Sequence, residues 1–241
     1  MKLGSFAGRF AFALALASML PAARAADAAL IARPFLAAGA VDAAKILPLP
    51  PAPGSLAARA DLETVLHVQE SRTAEQIAWA KEIVQDSVFK NDRVLGEWFS
   101  AANLPFTARF FQEANAEGEA ISRDAKDIHP RDRPPFTDPR VHPCVELKTT
   151  HSYPSSHSSA AWLWARLLAE IFPEKRAELY ERARAVMWGR VIGGVHFPSD
   201  TVGGQILGEA IADEMLKNPE VQAALKKCRE EAEPFLRKKA A

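Results

Sequence analysis

The sequence contains few cysteines and few long apolar runs, and its basic and acidic residues are equal in number. Only Cys144 and Cys228 occur among the 241 residues, and their spacing matches no zinc motif. One pair permits one disulfide in an exported protein, but the sequence leaves that pairing open. Thirty basic residues balance thirty acidic ones, so the overall charge favours neither nucleic acid nor an anionic membrane as a partner. An anion site would therefore need a local cluster of cations.

The apolar run that does occur lies near the N terminus. Residues 10–20 follow the positive charges of Lys2 and Arg9, and Ala23-Arg24-Ala25 has the small residues that precede a cleavage site. This order predicts a secretory signal peptide over residues 1–25. The run is too short for a membrane span, which needs about 20 helical residues. An uncleaved anchor helix is the alternative, and with cleavage we expect no integral membrane segment in the mature chain.

The remaining sequence predicts an arm followed by one helical domain. Residues 26–55 form the arm, and its proline-rich end cannot be helical because proline lacks a backbone donor and restricts the preceding residue. Residues 56–241 form the domain, in which apolar residues recur at helical spacing. No alternation typical of strands is present, so the expected fold class is all-α, a helical bundle with one long functional loop over residues 127–157. The helical pattern covers residues 56–126, 158–171, 174–191, 199–217 with Ser199 as N-cap, and 219–236.

Small residues and a histidine lie where one of these helices begins. The N terminus of a helix presents unpaired backbone donors and the positive end of its dipole. Ser155 and Ser156 would let an oxyanion approach these donors, and His157 could deliver a proton to a leaving oxygen. The simpler interpretation of this cluster is N-capping by serine.

A second cluster surrounds His196. Asp200 lies four residues further on, and a carboxylate at one ring nitrogen fixes the tautomer and leaves the other nitrogen free to attack. The planar guanidinium of Arg190 suits phosphate oxygens. Taken alone, this pattern also fits a surface histidine beside a capping aspartate.

Two further cations, Lys126 and Arg133, bracket a proline-fixed turn. An isolated basic loop is usually only a solvated surface. Phosphoryl transfer, however, spreads charge over three oxygens, and its catalysis requires positioned cations and donors. Together with Arg190 and a helix N terminus, the two side chains meet this requirement without a metal ion.

The order of the three clusters resembles the type 2 phosphatidic acid phosphatase (PAP2) superfamily. The motifs are Lys-x6-Arg-Pro from Lys126, Pro-Ser-x-His ending at His157, and Arg-x5-His-x3-Asp from Arg190 to Asp200. Residues 46–236 are similar to bacterial class A non-specific acid phosphatases, including a proline-rich arm that ends in Gly-Ser.

This resemblance implies both a fold and a role for each residue. The fold is an all-α bundle of the PAP2 and vanadium haloperoxidase type, often dimeric, without cofactor or metal ion. The substrates are small-molecule phosphate monoesters, and the location is the periplasm. His196 is the nucleophile that forms a phosphohistidine, Asp200 orients it, and His157 protonates the leaving alcohol and later activates water. The phosphoryl oxygens are held by Lys126, Arg133, Ser155, Ser156 and Arg190.

Two positions depart from the family pattern, and alternatives to the phosphatase stay open. Ser156 replaces a usual glycine, and Gly189 replaces the serine that usually precedes the arginine of the third motif. Neither change removes a proposed catalytic group, so a shift in rate or substrate range is expected. The alternatives are a vanadium-dependent haloperoxidase, a soluble periplasmic lipid-phosphate phosphatase, and a helical protein that binds phosphate without turnover.

Overall fold

The computed structural model describes residues 35–84 and 87–239, and within them it contains helices but no strand. The all-α prediction is therefore confirmed. The helices, in chain order, are α1 (Ala43–Ile46), α2 (Leu56–Ser71), α3 (Ala74–Glu82), α4 (Asp92–Leu95), α5 (Pro105–Ile128), α6 (Pro134–Thr137), α7 (Ser156–Ile171), α8 (Arg176–Ile192), α9 (Pro198–Met215) and α10 (Pro219–Lys239), with 3-10 turns at Val88–Asn91 and Pro173–Lys175.

The two helices that begin at the proposed motifs start slightly earlier than expected. Helix α7 begins at Ser156 with Ser155 as its N-cap. Helix α9 begins at Pro198 with Phe197 in the N-cap position, so the prediction of Ser199 as N-cap is wrong. Proline is favoured at the first helical position because its fixed φ suits the helix and its missing donor would be unpaired there anyway. Asp200 caps this helix instead, accepting a hydrogen bond from the amide of Phe197 at 2.8 Å.

Helix α7 lies at the centre of the bundle. It contacts α5, α8, α9 and α10, and its side chains Trp162, Leu163, Leu167 and Leu168 are buried. A helix that is apolar on most sides is typical of a core position. The four phenylalanines predicted for the core, Phe99, Phe106, Phe110 and Phe111, are all buried as expected.

Glycines allow α9 to approach α7 closely. A Cβ on Gly204 would clash with the carbonyl oxygen of Ser155, and one on Gly208 would clash with the carbonyl oxygen of Ser159. A Cβ on Gly203 would stand 2.6 Å from the ring of Tyr153. The missing side chains let the first turns of α9 lie directly against the start of α7, which brings two of the predicted motifs together.

The described part of the arm packs on the domain. Phe35, Ala43 and Leu47 are buried in the main core, and the Tyr153 hydroxyl donates a hydrogen bond to the carbonyl oxygen of Pro48 at 2.6 Å. The predicted signal peptide and residues 26–34 lie outside the described residues, and the domain limits stay a prediction.

The structure also describes the state of the two cysteines and whether any described helix could span a membrane. Both thiols are free in this structure, with Cys228 buried in the core and Cys144 partly exposed. Across the described ranges, no helix combines the length and the apolar character that crossing a bilayer requires.

Candidate active site

The three predicted clusters meet in one buried region. Lys126 comes from the end of α5, Arg133 from the loop that follows, Arg190 from the last turn of α8, and His196 from the turn before α9. All four side chains are buried, and His196 is only 1% exposed. Ser155, Ser156 and His157 border this region at the start of α7. The structure thus brings together every side chain that the sequence proposed for the site.

A tight turn returns the chain from α8 to His196. Gly194 has φ +71°, in the left-handed region that side chains other than that of glycine rarely adopt. A Cβ at this position would also stand 3.2 Å from the Cα of Pro143. Gly194 therefore lets α8 end and His196 point back into the bundle.

The hydrogen bonds of His196 identify its tautomer. Arg133 Nη1 lies 3.1 Å from His196 Nε2. A guanidinium only donates hydrogen bonds, so Nε2 must be the acceptor and carry no proton. Nδ1 then carries the proton, and it lies 3.4 Å from the Asp200 carboxylate. This arrangement leaves the Nε2 lone pair facing the cationic side of the site.

Asp200 is fully buried and surrounded by donors. Its carboxylate accepts hydrogen bonds from the Ser152 hydroxyl, from the Phe197 amide at 2.8 Å and from Arg131 Nη1 at 2.7 Å. Burial raises the pKa of Asp200, and the charge of Arg131 is the largest opposing influence. Sequence reasoning missed Ser152 and Arg131, although both lie inside the predicted clusters, because nothing in their spacing relates them to Asp200.

Lys126 is held by the loop before α7. Its Nζ donates to the carbonyl oxygens of His151 at 2.9 Å, Ser152 at 3.4 Å and Pro154 at 2.5 Å. Burial, followed by the charge of Arg133, lowers the pKa of Lys126 to about 7. A charge that costs free energy to bury is stabilised by an anion, so this group favours a phosphate in the site.

The pKa values of both histidines are lowered. Burial, and then the charges of Arg133, Lys126 and Arg190, hold the pKa of His196 well below its usual value. Burial, and then the charge of Arg190, lowers the pKa of His157 to about 3. Both lowered pKa values favour the neutral imidazoles near neutral pH, and an anion close to His157 would favour its protonation by offsetting the cations.

The start of α7 combines capping with access to solvent. The Ser155 hydroxyl accepts hydrogen bonds from the Ser158 amide at 3.4 Å and the Ser158 hydroxyl at 3.0 Å, so the simpler capping interpretation describes its side chain correctly. His157 has a hydrogen bond with the backbone of Val84. Ser156 and His157 line a cavity of about 350 Å³ between α5 and α7. A leaving group in this cavity would lie beside His157.

Neighbouring side chains accommodate the two departures from the family pattern. The hydroxyl of Ser122, on α5, donates to the hydroxyl of Ser156 at 2.9 Å. At Gly189, a Cβ would clash with the end of the Ile83 side chain and stand 3.2 Å from Trp79 Nε1. The extra hydroxyl thus has a dedicated partner, and the missing one is replaced by apolar packing from α3 and the residue after it.

The described residues contain no cluster of side chains that is suited to bind a metal ion. No group of three or more histidine, cysteine, aspartate or glutamate side chains in that part of the chain could hold a metal ion. The polar groups of the site are instead cations and hydrogen-bond donors, which suit an anion.

Comparison with known sequences gives the same family as the motifs. The family model for the PAP2 superfamily matches residues 112–219, which include all the proposed site residues. A non-specific acid phosphatase of Providencia stuartii is 27% identical over 205 residues, covering 80% of this chain and 81% of that protein. An acid phosphatase of Zymomonas mobilis subsp. mobilis is 34% identical over 112 residues, covering 44% of this chain and 42% of that protein.

Two solved structures share the fold. One is a transmembrane PAP2 type phosphatidylglycerolphosphate phosphatase from Bacillus subtilis, with a TM-score of 0.52 and 20% identity over 68% of this chain and 87% of that one. The other is a bacterial vanadium-dependent iodoperoxidase, with a TM-score of 0.57 and 18% identity over 73% of this chain and 53% of that one. These similarities confirm the expected bundle of the PAP2 and vanadium haloperoxidase type.

Proposed function

Because this chain belongs to the PAP2 superfamily and is homologous to bacterial non-specific acid phosphatases, we propose that it is an acid phosphatase that hydrolyses small-molecule phosphate monoesters through a phosphohistidine. One observation carries the proposal. The unprotonated Nε2 of His196 faces Arg133 at 3.1 Å within a buried group of cations, where a phosphoryl group would be both bound and attacked.

The first step is transfer of the phosphoryl group to the protein. Lys126, Arg133 and Arg190 hold the phosphoryl oxygens, with the Ser155 hydroxyl and the Ser156 amide as further donors. Arg133 moves its hydrogen bond from Nε2 to a phosphoryl oxygen, and the freed Nε2 lone pair of His196 forms a bond to phosphorus while the bond from phosphorus to the ester oxygen breaks. His157 gives its proton to that oxygen, so the alcohol leaves neutral. Asp200 stabilises the positive charge that develops on the imidazole.

The second step returns the enzyme to its starting state. His157, now neutral, takes a proton from a water molecule, and the water oxygen attacks phosphorus. The bond between phosphorus and Nε2 breaks, and His196 recovers its lone pair. Phosphate then leaves with the other proton of that water molecule, and His157 releases the proton it took up as the anion departs. The cations remain in place throughout, since they stabilise charge that is spread over the equatorial oxygens in both steps.

The mechanism needs His157 protonated and His196 neutral when the substrate is bound. The negative charge of the substrate favours the protonation of His157. Burial, and then the charge of Arg190, lowers the pKa of His157 to about 3. A phosphate ester offsets the neighbouring positive charge, so His157 takes up a proton as the substrate binds. His196 stays neutral because burial, and then the charge of Arg133, lowers its pKa. Uptake of a proton on binding favours activity on the acid side of neutrality.

The test is a substrate panel combined with trapping of the intermediate. We expect the purified protein to hydrolyse phosphate monoesters equally well with and without EDTA. After a rapid quench in alkali with a labelled substrate, the denatured protein should carry a phosphoryl group that is stable in alkali and is lost on acidification. His196→Ala should carry none, whereas the exposed His67→Ala should match the wild type. Equal labelling of the His196→Ala protein would exclude the assignment.

The two solved structures with the same fold belong to proteins with other named activities, and both activities should be tested in the same panel. An iodoperoxidase shares the bundle, so halide oxidation by peroxide in the presence of vanadate should be measured. A phosphatidylglycerolphosphate phosphatase shares it as well, so a lipid phosphate belongs in the panel. Binding of phosphate without any turnover would indicate the non-enzymatic alternative.

The proposal also includes the cellular location and the oligomeric state of the protein. We expect export to the periplasm after removal of residues 1–25, and a homodimer in solution. Sequencing of the N terminus of the mature protein, cell fractionation and analytical ultracentrifugation test these points independently of activity.

A further inference from the structure

Arg131 lies between two buried carboxylates. Its Nη1 donates to Asp200 Oδ1 at 2.7 Å and to the Ser199 hydroxyl at 2.7 Å, and its Nη2 donates to Asp61 Oδ2 at 2.8 Å. The guanidinium also stacks over the ring of Phe197, 4.1 Å from the ring centroid. Only 11% of the side chain is exposed. Contacts on several sides therefore fix the position of this guanidinium.

Asp61 holds Arg131 and the first turn of α9 together. It belongs to α2, and its side chain is 9% exposed. Its carboxylate accepts hydrogen bonds from the amide of Ser199 at 3.2 Å and from the Ser199 hydroxyl, in addition to that from Arg131. Since Asp200 is the next residue after Ser199, Asp61 fixes both partners of the ion pair between Arg131 and Asp200.

Asp200 needs such a partner because its burial opposes ionisation. The carboxylate is fully buried, burial raises its pKa, and Arg131 is the largest influence in the opposite direction. A protonated Asp200 would no longer hold the proton of His196 on Nδ1, and Nε2 would lose its role as acceptor. Asp61 on α2 pairs with Arg131 itself. The other charged or titratable groups that face Asp200 or His196 among the described residues are Lys126 on α5, Arg133 in the loop, Tyr153 before α7, His157 on α7 and Arg190 on α8.

We propose that Arg131, anchored by Asp61, is a positioning residue that keeps Asp200 ionised and directed at Nδ1 of His196 in acid solution. The inference rests on the proposed function, because it assigns a role in orienting that nucleophile. Arg131 itself contacts neither His196 nor the phosphoryl-binding side chains in any hydrogen bond of the described residues. It acts through Asp200, and an enzyme that works below neutral pH requires this support most.

The pH dependence of Arg131→Met tests the charge. In the wild type, kcat/KM for an activated aryl phosphate should stay high as the pH falls, until Asp200 takes up a proton. Without Arg131 the acid limb should move upward by about one pH unit or more. At pH 5, kcat should fall at least tenfold, while inhibition by sulfate changes less than threefold because the anion site is intact. Arg131→Lys should restore part of the rate by restoring the charge. Arg140→Gln is the matched control, since Arg140 forms an exposed ion pair with Asp138.

The outcomes separate this inference from the proposed function. An acid limb that stays in place in a folded Arg131→Met protein overturns the role of Arg131, whereas an inactive wild type overturns the phosphatase. Should Arg131→Met fail to fold, the carboxyl carbon of Asp200 can be titrated in the wild type by NMR, with Asp200→Asn for assignment. The same titration in Asp61→Asn, which removes a charge that anchors Arg131, tests the role of the ion pair: a pKa of Asp200 above the wild-type value supports the inference, and an unchanged pKa contradicts it.

Discussion

The backbone amide of Ser155 donates a hydrogen bond to the carbonyl oxygen of Asp200 at 3.0 Å. The residue that caps α7 is thereby joined to the residue that orients His196. The proposed donors for the phosphoryl group and the proposed nucleophile come from different parts of the chain, and this bond links the segments that carry them. The contact depends on the close approach of α7 and α9 at Gly204.

Gly204→Ala should separate these two helices. The added methyl group would clash with the Ser155 carbonyl and stand 2.7 Å from the Cβ of Ser158. We expect a loss of about 1–3 kcal/mol in the free energy of unfolding and a larger fall in kcat than stability alone explains. Denaturant unfolding and steady-state kinetics measure the two effects. Gly208→Ala is the control, because its clash with Ser159 lies a turn further from the site; equal kcat in the two variants would contradict the prediction.

His157→Ala should affect leaving groups unequally. A general acid contributes roughly 10²–10⁴-fold to departure of a basic oxygen, but nitrophenolate leaves without protonation. In rapid-quench experiments we expect a burst of p-nitrophenol followed by slow turnover, since hydrolysis of the phosphohistidine also needs His157. An alkyl phosphate should give neither burst nor turnover. Equal loss with both substrates would argue against His157 as the proton donor.

Binding of a fixed dianion should weaken above about pH 7. The pKa of Lys126 is lowered to about 7, mainly by burial and then by Arg133, so its charge is present below this pH and lost above it. Sulfate keeps its charge over the whole range, and its inhibition constant therefore reports on the protein alone. We expect a gradual rise from pH 5 to 6.5, where the uptake of a proton by His157 contributes, and a steeper rise beyond pH 7. In Lys126→Met, binding should be weak at every pH and the steeper rise beyond pH 7 should vanish.

Ser122 and Ser156 should be energetically coupled. Their hydroxyls are 2.9 Å apart, and Ser122 is buried. Removing either one leaves the other without this partner, which typically costs about 1 kcal/mol. A double-mutant cycle with Ser122→Ala and Ser156→Gly, followed by denaturant unfolding, should give a coupling free energy of about 0.5–1.5 kcal/mol. Strict additivity of the two changes would show that the hydrogen bond contributes nothing to stability.

Several parts of this protein follow directly from local sequence. The spacing of apolar residues predicts helices α7 to α10 to within a few residues, because side chains three and four apart share one face of a helix. Over residues 56–126 it predicts helix but not the breaks that separate α2, α3, α4 and α5. Proline placement predicts the irregular segment before α7. Lys126, Arg133, His157, Arg190 and His196 stand out as candidates because the chemistry of phosphoryl transfer requires cations and imidazoles at such spacings.

Tertiary structure alone decides how these residues are supported. The ion pairs that join Asp61, Arg131 and Asp200, the hydroxyl pair of Ser122 and Ser156, and the packing of Ile83 against Gly189 all connect segments far apart in the chain. Ser199 resembles an N-cap in sequence but binds Asp61 instead. Such contacts depend on how helices from distant segments pack, and helical periodicity describes only the relation of a residue to its near neighbours. The sequence therefore determines which groups can react, and the packing of the bundle determines their tautomer, charge and orientation.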